Sequence, residues 1–455
     1  MSERSSRAGL RHVLWLVILV TPAAAYGQAT SLFPPSLAIT NYERILVGEQ
    51  EALEAGAFVA RVSDTTAGWY NPAGLALVEN SGIGASATGY EYDSISLEGL
   101  QRSSGTSSLT QLPSFLGAAL GKDVLHSDFW RIGFSISKPI SWSQSLGGGT
   151  ESAPRIAYSS GVDFSTLLPT ISVALAPARS LRIGAGVGIA ITTLSEVQTI
   201  SAQNLTTTTA NAFLRDLQAG GSIWNLTGNL GLQWDILQNL MLGVTVRFPG
   251  LKITSSGSII GQNVDNNGAI WSQRFFRDED ASFDFKLPWD VNFGLAWNSR
   301  VFGVEADLRY HSAISSYAMF DSAQPVQIVT TAPNGTPVVT NQPFPTVQNG
   351  AKQVWNWAIG GRVNITEAWS VHAGFFSDYS PTDTNHQDFF RAVNMYGFTT
   401  GARLAGEHLS GSLGFALNWG SSNQFTVGDP STGQTTTTRL SIVSYYLLYA
   451  IAYKF

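Results

Sequence analysis

Apolar and polar residues alternate along much of the chain, and the alternation is sharpest at its end. From Val443 to Phe455 every odd position is apolar or aromatic, whereas the even positions include Ser444 and Lys454. Successive side chains of a β-strand point to opposite faces, so this period of two predicts a strand with one apolar and one mixed face. A terminal strand of about ten residues with an aromatic-rich face and a final Phe is typical of bacterial outer-membrane barrels.

The same alternation predicts an up-and-down series of fourteen strands, an even number as in single-chain bacterial barrels. Short connections follow the even-numbered strands and long polar connections follow the odd-numbered ones, as periplasmic turns and extracellular loops do. A soluble all-β protein has no reason to place its long loops at one end. The predicted strands cover residues 81–93, 112–122, 129–140, 155–176, 180–193, 222–235, 239–252, 281–297, 301–312, 353–365, 369–378, 393–404, 409–419 and 437–455.

The two faces of the predicted strands differ most clearly between residues 302 and 311. Four ionisable residues occupy one face there, namely Glu305, Asp307, Arg309 and His311. A cation facing lipid at mid-bilayer costs about 2–4 kcal/mol, so this face is predicted to line the lumen. A slip of one residue would turn all four side chains outward, and the register is therefore strongly specified. The same alternation of odd and even positions places Arg247, Arg362 and His372 on the lumenal face. These three residues and the four named above are called the polar lumenal ladder.

Composition supports a membrane barrel over a soluble domain. Apolar residues make up 44% of the chain and charged residues only 13%, against about 25% in soluble domains. No segment after the N-terminus reaches the roughly 20 apolar residues of a membrane-spanning helix, and a closed barrel is the alternative way to pair every backbone group in lipid. Cysteine is absent, which excludes disulfides and thiolate metal sites. The net charge of −6 argues against a nucleic-acid partner.

The N-terminal part of the chain does not alternate and is divided into two segments. Residues 1–27 contain three arginines, a short apolar run and small residues before Gln28, which predicts a secretory signal peptide. An N-terminal membrane anchor is the alternative, but the apolar run is too short to span a bilayer. Residues 28–80 are too few for a robust core of their own, and we expect them to form a plug inside the barrel of residues 81–455.

One motif within the expected plug points to a family. Residues 56–76 read GAFVARVSDTTAGWYNPAGLA and end just before the first predicted strand. This stretch, with Asn71, Pro72, Ala73, Gly74 and Leu75 at its end, resembles the long-chain fatty acid transporter (FadL/TodX) family of outer-membrane proteins. Three later stretches resemble the family in the same order, namely residues 181–187 (LRIGAGV), 242–249 (LGVTVRFP) and 376–381 (FSDYSP).

The resemblance implies a fourteen-stranded barrel with an N-terminal plug that carries hydrophobic molecules inward without a cofactor. In this family a kink in the third strand opens a lateral gap in the wall, through which the substrate leaves into the outer leaflet. The corresponding strand here contains Lys138 and Pro139, and Pro139 removes one ladder donor. Pro139 lies late in the predicted strand, however, so that it could instead mark the end of the strand.

Capture of a hydrophobic molecule requires apolar side chains on the outer loops, and two loops contain them. Phe213, Leu214 and Leu217 have a spacing that suits an amphipathic loop helix within residues 210–218. The loop after the seventh strand carries an aromatic group beside a guanidinium, which suits an amphiphile with an acidic head. The residues of that group are Trp271, Arg274, Phe275 and Phe276. The alternative is that these side chains only pack the loops themselves.

Catalytic and metal-binding motifs are not found in the sequence. Glu305 and Asp307 alternate with Arg309 and are interpreted as a charge ladder and not as an acid–base pair. A lipid-facing His–Ser pair, as a membrane-embedded phospholipase would need, is not visible, because His372 faces the lumen by parity. We therefore expect no enzyme, no metal and no cofactor. An outer-membrane lipid hydrolase and a plugged barrel that acts as an assembly protein or surface-protein shuttle remain as alternatives to transport.

The expected environment follows from these features. We expect a monomeric barrel in the outer membrane of a Gram-negative-type bacterium. Its expected partners are outer-membrane lipid, a hydrophobic small-molecule ligand and the barrel-assembly machinery, which would recognise the terminal strand that ends in Phe455. The identity of the substrate depends on loop shape, which the alternation does not determine.

Overall fold

A computed structural model of the protein describes residues 38–43, 45–97, 105–108, 112–149, 155–204, 211–266, 270–331, 335–383, 389–428 and 435–455. The predicted signal peptide, residues 1–27, lies outside the described residues. The described helices are short: α1 (Gln50–Leu53), α2 (Ala67–Tyr70), α3 (Lys122–Leu125) and a 3-10 helix (Pro72–Leu77).

Strands dominate the described part of the chain. They are β1 (Gly82–Leu97), β2 (Gly105–Ser108), β3 (Leu112–Leu120), β4 (Trp130–Gly149), β5 (Arg155–Ala178), β6 (Leu181–Asn204), β7 (Asn211–Leu237), β8 (Leu240–Arg247), β9 (Leu251–Asn266), β10 (Trp271–Phe283), β11 (Asp290–Asn298), β12 (Phe302–His311), β13 (Ile314–Asp321), β14 (Val326–Thr331), β15 (Val338–Gln342), β16 (Val347–Ala351), β17 (Val354–Asn364), β18 (Trp369–Asp378), β19 (Asn394–Ala405), β20 (Leu409–Gly428) and β21 (Thr435–Lys454).

Fourteen of the described strands form a closed antiparallel barrel, as the alternation predicted. The wall runs through β1, β3 to β8, β11, β12 and β17 to β21. The last strand closes it, because Tyr453 of β21 is paired with Ile83 of β1. Every wall strand therefore has a hydrogen-bonded neighbour on both sides, which is the condition for crossing a bilayer with strands.

The remaining strands lie in connections that the sequence left as long loops. β9 pairs with the outer part of β7 and with β10, and β14 and β15 extend the same sheet. β13 and β16 pair with each other within the connection from β12 to β17. The connection between the ninth and tenth predicted strands was expected to be a long polar loop, but its described residues include four strands, β13 to β16.

Several predicted strands end at other residues than the observed ones, and two predicted elements differ from the structure by more than the position of their ends. The eighth predicted strand, residues 281–297, is divided: residues up to Phe283 belong to β10, and the wall strand β11 begins at Asp290. Pro288 lies in the interval and cannot donate a ladder hydrogen bond. The predicted loop helix within residues 210–218 is wrong, because the described residues from Asn211 onward belong to β7 and pair with β6 and β9.

The apolar face of the wall is outside and the polar face is inside. On β12, Leu308 is 44% exposed on the outer surface, whereas its neighbours Glu305 and Asp307 are buried in the interior. Exposed Trp234, Trp297 and Trp369 lie near the ends with the short turns. An apolar band with aromatic residues at its rim is the surface that a barrel presents to lipid.

In the described ranges no helix combines the length and the apolar character that crossing a bilayer requires.

Residues 38–43 and 45–80, here called the inner segment, contact the inner face of the wall, and most of them are buried. Inward-facing glycines of the wall let this segment approach closely. A Cβ atom on Gly231 of β7 would lie 2.1 Å from Asn71 Oδ1, and one on Gly360 of β17 would lie 2.1 Å from the carbonyl oxygen of Glu54. At both positions the absence of a side chain gives the segment the space in which it lies. Whether the segment acts as a plug stays a prediction.

Candidate functional site

The Asn71–Leu75 motif connects the inner segment to the wall. Asn71 precedes the 3-10 helix, and its side-chain oxygen accepts a hydrogen bond from Ala73 N at 3.1 Å. Its side-chain nitrogen donates to the carbonyl oxygens of Val59, at 2.8 Å, and of Leu232 on β7, at 2.9 Å. The motif residue thus caps a helix and holds the segment to β7 with one side chain.

A buried ionic cluster lies at the centre of the interior. Arg61 pairs with Glu54, and its Nε lies 2.9 Å from Glu305 Oε2 on β12. Backbone groups contribute, since Ala60 N donates to Glu305 Oε1 at 2.5 Å and Phe58 N donates to Asp307 Oδ2 at 3.1 Å. The lumenal carboxylates of β12 therefore hold the inner segment, and the guanidinium and backbone N–H groups of that segment compensate their negative charge.

A second cluster lies further along β12. Arg309 pairs with Glu43 of the inner segment and also donates to the carbonyl oxygen of Gly56 at 2.6 Å. His311 Nε2 lies 3.0 Å from the other Glu43 oxygen. Burial alone would raise the pKa of Glu43, but Arg309 and His311 outweigh it and lower that pKa to about 2. Glu43 is therefore held as a carboxylate between two lumenal side chains.

The other three residues of the predicted ladder also face inward. Arg247 of β8 lies 2.6 Å from Asp290 and stacks on the ring of Trp69, 4.1 Å from its centroid. The Arg362 Nη2 group of β17 donates to Asn298 at 2.9 Å. His372 of β18 lies between Glu54, at 2.7 Å, and Ser370, at 2.8 Å. All seven ladder residues thus reach the interior, where they bind partners that parity could not identify.

A small cavity opens beside the second cluster. Its volume is about 100 Å³. Apolar side chains of Trp69, Ile140, Leu168 and Phe248 form much of its lining, together with Pro139. Arg247, Arg309 and His311 also line it. The cavity is therefore apolar over much of its wall and ionic over the rest, where Glu43 and Asp290 pair with these basic side chains, and its volume suits only part of an apolar molecule.

Pro139 interrupts the wall next to this cavity. β4 continues to Gly149, so Pro139 lies within the strand and the alternative that it marks the strand end is wrong. The register between β4 and β5 shifts between Ser137 and Ile140, and thus at Lys138 and Pro139. On the other side, the described pairing of β4 with β3 ends at Ser137. The missing donor of Pro139 accounts for a local break in the ladder.

The predicted capture residues are divided between two faces of the sheet above the wall. Phe213, Leu217 and Phe276 are buried, and Phe276 packs against Phe344 with ring centroids 5.5 Å apart. Trp271 and Phe275 are exposed on β10. Leu214 and Arg274 are partly buried. The structure thus supports self-packing for one group and leaves Trp271 and Phe275 available to a molecule outside.

A larger cavity of about 810 Å³ lies at the end of the barrel that carries the short turns. Charged residues of the inner segment and of the wall line it, among them Glu49, Asp64, Arg362 and Arg403. Its lining also includes Phe115 and Ile451, so that the cavity has polar and apolar parts. Across the described ranges, no group of three or more His, Asp or Glu side chains is arranged to hold a metal ion.

Sequence reasoning did not identify the inner partners Glu43, Glu54 and Arg61. Their signal was present, because charged residues are frequent between residues 43 and 64 in a segment too short to bury them alone. Alternation assigns a side chain to one face of a strand. It does not predict which residue of a segment without a period will lie against that side chain.

Comparison with solved structures shows the same fold. A FadL homologue from Pseudomonas aeruginosa is 13% identical, with a TM-score of 0.63, and the match covers 91% of this chain and 100% of that one. The toluene transporter TodX from P. putida is 15% identical, with a TM-score of 0.57 and coverage of 90% and 98%. The toluene transporter TbuX from Ralstonia pickettii is 13% identical, with a TM-score of 0.54 and coverage of 90% and 98%.

No family model matches the chain, and no curated protein matches it either. The likeness is therefore one of structure, spread over about nine tenths of the chain. A closed barrel with an apolar exterior is an outer-membrane architecture. The chain has the fold of the FadL-type outer-membrane barrels, as the resemblance in its sequence indicated.

Proposed function

We propose that the protein is a passive outer-membrane channel for hydrophobic small molecules, either long-chain fatty acids or aromatic hydrocarbons. The observation that carries this proposal is the position of the apolar cavity beside the break in β4 at Pro139. A molecule in the cavity would lie next to the part of the wall where the hydrogen-bond ladder of β4 is interrupted. The names of the two toluene transporters with the same fold support this class of substrate.

Transport begins with capture above the wall. Exposed Trp271 and Phe275 of β10 offer an apolar surface to a molecule outside. Burying an apolar side chain against such a surface is favourable by about 25 cal/mol per Å² removed from water. A hydrophobic molecule therefore gains free energy at this sheet before it enters the barrel.

Displacement of the inner segment follows from the ionic contacts at the cavity. Arg309 and His311 both bind Glu43, and Arg247 binds Asp290. A ligand carboxylate can replace Glu43 as the partner of Arg309 without leaving a buried cation unpaired. Such an exchange releases one contact of the inner segment, which acts as a plug, while an uncharged hydrocarbon would use only the apolar part of the cavity.

Exit is lateral, through the interruption at Lys138 and Pro139 into the outer leaflet. No energy source is implied, so that net flux follows a gradient or a downstream sink. Assembly would use recognition of the terminal strand that ends in Phe455 before β21 pairs with β1, and the barrel would act as a monomer in lipid.

Uptake by whole cells tests the proposal. Cells that produce the chain should take up labelled long-chain fatty acid or aromatic hydrocarbon faster than cells without it. A variant that lacks residues 28–78 should still form a barrel but should change the uptake rate. Unaltered uptake in this deletion would remove the segment from the mechanism. Absence of any uptake defect on knockout, together with a stable protein partner in pull-downs, would favour the surface-protein shuttle.

A further inference from the structure

Three buried side chains from two parts of the chain form a hydrogen-bonded row. Ser370 Oγ lies 2.8 Å from His372 Nε2, and His372 Nδ1 lies 2.7 Å from Glu54 Oε1. Ser370 and His372 point to the same lumenal face of β18, because they are two residues apart. Glu54 comes from the inner segment, and its other oxygen is held by Arg61.

The order of the three groups determines the direction of the hydrogen bonds between them. A carboxylate accepts hydrogen bonds only, so the Nδ1 atom beside Glu54 carries the imidazole hydrogen. In neutral His372 the Nε2 atom then has a free lone pair, which accepts the hydrogen of the Ser370 hydroxyl. This is the sequence of nucleophile, base and orienting carboxylate that activates serine in hydrolases on several unrelated folds.

Ser370 is also placed next to space for a substrate. The residue is 8% exposed and lines the cavity of about 810 Å³ at the short-turn end of the barrel. Its cross-strand partner on β19 is Arg403, and the partner of His372 on β17 is Arg362. Both guanidinium groups line the same cavity. Arg403 pairs with Glu49 at 3.0 Å and Arg362 donates to Asn298 at 2.9 Å, so that both groups are held at the cavity wall, where their N–H groups are the donors that we assign to a developing oxyanion.

The composition of the cavity indicates the class of substrate. Its lining combines arginines and the carboxylates Glu49, Asp64, Glu79 and Glu367 with apolar side chains such as Phe115 and Ile451, which suits an uncharged molecule. A carboxylic ester with a short or medium acyl chain matches this lining, with its carbonyl oxygen near the arginines and its chain against the apolar part. The volume exceeds the lower end of the range for small-molecule sites, which is about 300 Å³.

We propose that the protein hydrolyses carboxylic esters in this cavity, with Ser370 as nucleophile, His372 as general base and acid, and Glu54 as a positioning residue. Ser370 Oγ bonds to the ester carbonyl carbon while its proton passes to His372 Nε2. The carbon–oxygen bond to the alcohol breaks, and the alcohol leaves with that proton. Water then attacks the acyl group, His372 takes one water proton and returns it to Ser370, and the carboxylic acid is released.

A fluorophosphonate probe tests the nucleophile, because it modifies serines that a neighbouring base activates. The full chain, folded in detergent, should be labelled on the peptide that contains Ser370. Ser370→Ala should abolish this label and lower hydrolysis of p-nitrophenyl butyrate on the order of 10²-fold or more. The difference in gel mobility between unheated and heated samples verifies that each variant is folded.

Ser377→Ala is the matched control. Ser377 is a buried serine of the same strand that donates to Asn356 Oδ1 at 3.2 Å and accepts from Trp357 N at 3.0 Å, so that its partners are an amide and a backbone N–H group and not an imidazole. This variant should retain the label and the hydrolysis rate. A folded wild-type chain that takes no label on Ser370, or a Ser370→Ala variant that hydrolyses the ester at the wild-type rate, would overturn the proposal.

The role of Glu54 has a separate kinetic readout. Glu54→Gln retains the shape of the side chain but no longer stabilises the imidazolium that forms during attack. Its kcat should fall about 10²- to 10⁴-fold while KM stays within about twofold, as expected for a group that acts in the transition state. A change in KM with an unaltered kcat would assign Glu54 to cavity structure alone and would reject its positioning role.

Discussion

Removal of the Arg61 guanidinium should loosen the inner segment from the wall. Arg61 has a side chain that is 2% exposed and lies between Glu54 and Glu305, which are both fully buried. Its guanidinium also lies 4.0 Å from the centroid of the Phe58 ring. Arg61→Gln leaves two buried carboxylates without their shared cation, and breaking a buried ion pair in this way costs about 3–5 kcal/mol.

The lower end of that range applies here, because both carboxylates keep another partner. Glu54 retains His372, and Glu305 retains the backbone amide of Ala60. A loss of about 3 kcal/mol raises the population of the opened segment about 10²-fold, since each 1.4 kcal/mol is a factor of ten. The segment should remain mostly docked, but it should open far more often.

Cysteine labelling measures this opening directly, because the natural chain contains no cysteine. Val62→Cys places a single thiol at a fully buried position of the inner segment. When closing is faster than modification, the rate of maleimide labelling is proportional to the opened fraction. Arg61→Gln should therefore raise the labelling rate of Val62→Cys about 10²-fold.

Arg300→Gln provides the matched control, since it removes the same charge from an arginine that is 95% exposed, with its partner Glu367 at 4.0 Å. An exposed pair of this kind contributes about 0–1 kcal/mol, so the labelling rate should change little. Equal labelling rates in the Arg61→Gln and Arg300→Gln backgrounds would refute the reasoning that the buried cluster holds the segment.

Three further predictions concern pH, the wall and capture. Burial, with the negative charge of Asp64 beside it, raises the pKa of Glu51 well above its ordinary value. The folded state therefore holds a proton that the opened state releases, so that docking is most stable at low pH and weakens as pH rises. Glu51→Gln should reduce this pH dependence of Val62→Cys labelling, normalised at each pH to an unfolded peptide, and Glu49, whose pKa burial also raises, should maintain the rest. Pro139→Ala restores a ladder donor and should lower uptake of the hydrophobic ligand at equal barrel abundance. Pro177→Ala, at the end of β5 next to a short turn, should not lower it, and equal uptake in the two variants would exclude exit at Pro139. Phe275→Ala should raise the ligand concentration for half-maximal uptake several-fold. An unaltered concentration would show that this side chain takes no part in capture.

The wall was predictable from sequence because lipid imposes a simple pattern. Each strand must present an apolar face outward, and a slip of one residue would expose groups such as Glu305 and Asp307 to hydrocarbon. All fourteen wall strands followed from this constraint, and the closure of β21 on β1 agrees with the aromatic terminal strand.

The sheet above the wall was not predictable in the same way. Phe213 and Leu217 are four residues apart, a spacing that places two side chains on one face of a helix and also on one face of a strand. Beyond the bilayer, no lipid selects between these alternatives. The long hairpin of β9 and β10 gives β7 a pairing partner there, and residues 213 and 217 therefore form part of a strand.

The interior was the least predictable part. The ladder residues could be assigned to the lumen by parity, but their partners belong to a segment without a period. In the row from Ser370 through His372 to Glu54, the last two residues are 318 positions apart in the sequence. Only the fold of the inner segment brings Glu54 to β18. A sequence without an alignment offers no signal for this contact.

The central claim is that lipid surrounds the apolar face of the wall while the ionisable face is enclosed. Electron paramagnetic resonance of a nitroxide attached to Leu308→Cys on β12 tests it most directly, in the folded barrel reconstituted in a bilayer. The account predicts frequent collisions of the label with molecular oxygen, which concentrates in the hydrocarbon, and few with a water-soluble nickel complex. Frequent collisions with the nickel complex and few with oxygen would contradict it.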